Sequence, residues 1–67
     1  MNVFIVFNKE NDIISIHRSR EYAMQVAEDY IRSFGFNEED CVDCLEMLAD
    51  CGYVDDLVWI ETYEVND

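Results

Sequence analysis

At 67 residues, 51% of them hydrophobic and 13% aromatic, the chain has the composition of one small folded domain (residues 1–67), which excludes intrinsic disorder. Sixteen acids against four bases give a net charge of −12, which argues against direct nucleic-acid binding and makes self-repulsion a standing cost on the fold. Three cysteines are an odd number, so they read as reduced thiols and not as a closed disulfide framework.

Near the N-terminus, the runs "VFIVF" (Val3 to Phe7) and "IISIH" (Ile13 to His17) are β-branched and aromatic, and the polar cluster "NKEND" separates them. Together they predict a hairpin. The first run is too short to span a membrane and lacks the basic flank of a signal peptide, so an intracellular, cytoplasmic protein is expected. Its alternation puts Val3, Ile5 and Phe7 on one side of the strand and Phe4 and Val6 on the other, so both faces of the sheet need cover.

Ser19 is placed to cap a helix, and Ala23, Val26, Ala27, Tyr30, Ile31 and Phe34 then recur at three- and four-residue spacing. Gly35 is expected to end that helix in a left-handed conformation, with Phe36 folding back on the last turn. Asn37 reads as the N-cap of a second helix, with Glu38, Glu39 and Asp40 at its positive end, and Gly52 as its stop. Beyond Asp55 and Asp56, "LVWIETYEV" (Leu57 to Val65) alternates, with Leu57, Trp59, Glu61, Tyr63 and Val65 on one face. The order ββααβ predicts an α+β domain in which two helices cover one face of a three-stranded, mainly antiparallel sheet. A homodimer is the expected cover for the other face.

The charge is segregated. All four bases, Lys9, Arg18, Arg20 and Arg32, lie in the first half of the chain, whereas only Glu10, Asp12, Glu21, Glu28 and Asp29 among the acids precede Ser33. On the second helix, a projection at about 100° per residue gathers Cys41, Cys44, Leu45, Leu48 and Cys51 on the core side, with Val42 and Ala49 at its edge. Opposite them, Glu39, Asp43, Glu46 and Asp50 form a solvent-facing stripe. Like charges at this spacing oppose the helix that carries them, and an ordinary exposed helix would interleave lysine. Asp55, Asp56, Glu61, Glu64 and Asp67 supply acids for a second row.

Catalysis and metal binding find little support. The C-x2-C-x6-C spacing of Cys41, Cys44 and Cys51 falls on a continuous helix with leucines between the thiols, which suits packing better than zinc. Thiols facing a core beside carboxylates also lack the electropositive setting of a redox motif. His17, the single histidine, has no visible nucleophile partner and reads as a surface strand residue, and the two glycines serve as helix caps, not as a phosphate loop. The Asp55–Asp56 pair lacks the alternating ligands and central glycine of a calcium loop. A non-enzymatic protein without cofactor or metal is the expectation.

Small size, extreme acidity concentrated in residues 37–56 ("NEEDCVDCLEMLADCGYVDD") and an expected α+β dimer resemble the small bacteriophage early proteins that mimic DNA, most closely those that inhibit the histone-like host protein HU. The resemblance implies a homodimer acting in host takeover, whose carboxylates occupy the DNA-binding surface of a basic host protein. Related acidic phage proteins inhibit uracil-DNA glycosylase, restriction enzymes or CRISPR nucleases. On this reading Glu39, Asp43, Glu46 and Asp50 form the central partner-binding row, flanked by Glu38, Asp40, Asp55 and Asp56. The competing expectation is a small dimeric adaptor that works through an apolar sheet face, with the acid serving only solubility.

Overall fold

A computed structural model describes residues 1–66. Strands β1 (Asn2–Asn8) and β2 (Ile13–His17) form the expected hairpin. Its turn is held by Asn8, whose Oδ1 accepts from the backbone N–H of Glu10 (2.9 Å) and Asp12 (3.1 Å). Asn11 supplies the left-handed residue of that turn at φ 64°, a conformation asparagine tolerates well. A register shift between Val6 and Phe7 leaves Ile14 without a Cα partner, and this extra residue packs against the core.

Helix α1 (Arg20–Arg32) follows, with Ser19 at its N-cap position in extended conformation but without a side-chain cap bond. Helix α2 (Glu38–Cys51) runs into the short strand β3 (Tyr53–Val54), and β4 (Val58–Glu64) completes an antiparallel sheet in the order β2-β1-β4-β3. β1 lies in the middle because it is apolar on both faces. It pairs with β4 along its whole length, from Asn2 opposite Glu64 to Asn8 opposite Val58.

Both helices pack on the side of the sheet that carries Val6 and Val58. α1 presents Ala23, Ala27 and Ile31 to the strands, and the two alanines let its backbone approach the sheet closely. α2 reaches the same core through Leu48, with Cys41, Cys44 and Leu45 partly buried around it. Ile31, Leu48, Val6 and Val58 are the largest fully buried side chains. Burial of each stabilises the fold by about 2 kcal/mol.

The α+β class and the two helices agree with the sequence, and four details differ. The sheet has four strands instead of three, because Gly52 at φ +69° turns the chain out of α2 and lets Tyr53 and Val54 pair back onto Trp59 and Val58. Leu57 does not belong to the face of Trp59: it precedes β4 in a turn, with Asp56 at φ 57°, and is buried in the core. Cys51 is exposed, its thiol directed to the carbonyls of Met47 and Tyr53, both at 3.3 Å. Phe34 lies beyond the end of α1, where the Ser33 hydroxyl donates to the Tyr30 carbonyl (2.6 Å), and it is exposed, meeting Tyr30 edge to face and stacking on Phe36.

Candidate partner-binding surfaces

Helix α2 begins where Asn37 accepts the Asp40 backbone N–H on its Oδ1 (2.9 Å), a side-chain cap that satisfies one of the helix's orphan donors. Glu38, Glu39 and Asp40 follow in the first turn, where the helix dipole favours them. It ends on left-handed Gly52, whose N–H donates to the Leu48 carbonyl at 2.8 Å. With Leu48 buried and Cys41, Cys44 and Leu45 half-buried, the helix is held in one rotation about its axis.

That rotation turns Glu39, Asp43, Glu46 and Asp50 outward, and all four are exposed. At 1.5 Å rise per residue the row is about 16 Å long. Glu38, Glu39, Val42 and Asp43 line a shallow depression at its start. Among the described residues, the ion pairs are those of Arg32 on α1 with Glu28 (3.9 Å) and Asp29 (3.8 Å), and none involves the α2 row. The carboxylates are felt inside the helix as well. Burial, then the charges of Asp40, Cys41 and Asp43, raises the Cys44 thiol above its ordinary pKa.

Glu38 and Asp40 adjoin the row on α2, whereas Asp55 and Asp56 sit in the β3–β4 turn and belong to the sheet. Both are exposed, and the Tyr53 hydroxyl donates to Asp55 at 3.4 Å. The negative charge of Asp55 raises the Tyr53 phenol. Of the second acid row, Asp67 lies outside the described residues.

The sheet face away from the helices is a second candidate surface. Register places Ile13, Phe7, Trp59 and Tyr53 in one row across the four strands, with Ile16, Ile5 and Glu61 in the next. Trp59 is sandwiched by its neighbours, its ring centroid 5.9 Å from Phe7 and 5.8 Å from Tyr53. Glu61 takes a hydrogen bond on each oxygen, from Trp59 Nε1 and from the Tyr63 hydroxyl, both at 3.1 Å. The bond to Glu61, then its charge, raises the Tyr63 phenol. The alternation "WIETY" already put these three side chains on one face, and the hydrogen bonds that join them are new.

His17 lies half-buried on the helix side of the sheet, its Nε2 2.9 Å from Ser15 Oγ and its ring stacked on Tyr22 at 6.5 Å. Among the described residues, no three His, Cys, Asp or Glu side chains converge as metal ligands would, and no helix is long and apolar enough to cross a membrane. Compared with known proteins, the chain matches no family model, no curated protein sequence and no solved structure.

Proposed function

We propose that this protein is a DNA mimic that binds a basic nucleic-acid-binding protein, of the kind exemplified by HU, and occupies its DNA-binding surface. The observation that supports this reading is the α2 row: four exposed carboxylates on a capped helix, none of them in an ion pair among the described residues. A helix anchored by buried Leu48 holds those charges in a fixed line, much as a nucleic-acid backbone holds its phosphates. Lysines and arginines that neutralise phosphates in DNA meet carboxylates here, and association is accordingly fast and weakened by salt.

The test is displacement of labelled duplex DNA from HU by the purified protein at two salt concentrations. Displacement that weakens as salt rises is expected, and a Glu39→Lys/Asp43→Lys variant should lose it while keeping its circular dichroism spectrum. Undiminished displacement by that variant removes the row from the mechanism.

An adaptor acting through the sheet is the second reading, and the exposure of Ile13 (54%) and Ile16 (57%) on the uncovered face favours it. A homodimer that stacks two such faces would bury those isoleucines. Sedimentation velocity over a range of concentrations tests for it.

A further inference from the structure

β3 pairs only with Val58 and Trp59, so among the described residues no strand pairs with the outer edge of β4 from Glu61 to Glu64. The direction of its backbone groups follows from their neighbours. Ile60 N–H donates outward to the Gly52 carbonyl, whereas Val65 N–H donates inward to the Met1 carbonyl. By the two-residue alternation of a strand, the N–H and C=O groups of Thr62 and Glu64 point outward, unpaired by any strand. This is a template for one more strand.

We propose that this edge takes up an extended, arginine-bearing segment of a basic protein, with the arginine seated between Trp59 and Tyr63 on the Glu61 carboxylate. A strand continuing the line of β3 would place one residue directly opposite Glu61 in a non-hydrogen-bonded pair, where cross-strand side chains approach most closely. Each Glu61 oxygen already accepts one bond and retains a lone pair for a guanidinium. Those same bonds fix the carboxylate's orientation before the ligand arrives. A planar guanidinium also lies well against the flanking aromatic rings, which a compact ammonium does less effectively.

Charge decides the occupant. Glu61 and Glu64 sit at this edge and Asp55 lies by Tyr53, on a chain of net charge −12, so a second copy brings like charge to the Glu61 carboxylate and a basic segment neutralises it. The inference rests on the reading of the protein as a ligand for basic proteins, and assigns it a second contact, specific for arginine, on the sheet and not on α2.

Trp59 is the single tryptophan, so its fluorescence reports this surface alone. The probe is a blocked five-residue peptide of alternating threonine and valine with arginine as its C-terminal residue, so that the arginine faces Glu61 and the rest of the peptide runs along the free edge toward Glu64, compared with the same peptide carrying neutral citrulline. The wild-type protein should show a saturable change in Trp59 emission and in the amide resonances of Thr62 and Glu64. Citrulline in the peptide, or Glu61→Gln in the protein, should each weaken binding about tenfold or more. Equal binding of the two peptides, or resonance changes confined to α2, would overturn the proposal. So would concentration-dependent self-association that covers Trp59 and is not displaced by the peptide, which would make a second copy the occupant. Loss of DNA displacement with intact peptide binding would instead remove the α2 mimicry and leave the edge site standing.

Discussion

Asp43→Lys inverts the charge at the centre of the α2 row, where every charged neighbour one turn away is an acid: Glu39 and Asp40 before it and Glu46 after it. Each of those pairs now opposes the helix by about 0.2–0.5 kcal/mol, and each becomes attractive by a similar amount on reversal. Glu39 ahead of a lysine at position 43 is also the favourable orientation of the four-residue pair. Allowing for mutual screening, the gain is about 1–2 kcal/mol at low ionic strength, and the midpoint of thermal unfolding should rise by roughly 4–8 °C per kcal/mol. In the HU displacement assay the same variant should weaken by about tenfold or more, because a partner cation then faces a lysine. Circular dichroism melts and DNA displacement at low and moderate salt check both signs, and both effects should shrink together as salt rises. A variant no more stable than the wild type would show that the carboxylates do not repel one another. A stabilised variant with undiminished displacement would remove the row from partner binding.

Leu48→Ala empties the one fully buried position of α2 and should cost about 2–5 kcal/mol, most of what a domain of this size has, so the variant's melt should begin near room temperature. Asn37→Ala removes the side-chain acceptor for the Asp40 N–H and should lower stability by about 1 kcal/mol in a denaturant titration, with Asn37→Asp retaining most of it. Mass-resolved alkylation near neutral pH should label exposed Cys51 first and Cys44 last, since a raised pKa leaves less thiolate at Cys44. Because folding raises the Cys44 pKa, its contribution to stability is present below the ordinary thiol range and is lost as pH rises through the folded value. A denaturant midpoint that rises with pH across that interval would contradict this.

What the sequence made legible was whatever carried a period or a cap. Asn37 and Gly52 bracket α2 as read, and the outward turn of Glu39, Asp43, Glu46 and Asp50 follows from the burial of Leu48 on the opposite side. β3 was illegible because two residues have no period, and its pairing depends on a turn at Gly52 that a helix stop alone does not imply. Cys51 lies within about 60° of Leu48 around the helix axis, on the same side, but it is the last residue of α2, and angle alone says nothing about where along its axis a helix stops being covered. Leu57 was assigned by extending the alternation of β4 through a turn, where alternation no longer holds. The engagement of Glu61 was half legible: sharing a face with Trp59 and Tyr63 follows from spacing, and accepting from both depends on rotamers that spacing does not reveal.

The pairing of β1 with β4 along its full length joins residues 2–8 to residues 58–64, nearly the whole chain apart. During synthesis the hairpin and both helices leave the ribosome before the strand that completes the sheet, so β1 waits with one edge unpaired and its apolar side chains uncovered. Folding on the ribosome is therefore deferred until the last strand emerges, and that closure over long sequence separation sets its rate. The acids that dominate residues 38–56 are translated within this interval, and their mutual repulsion keeps unfinished chains apart while the edge is open.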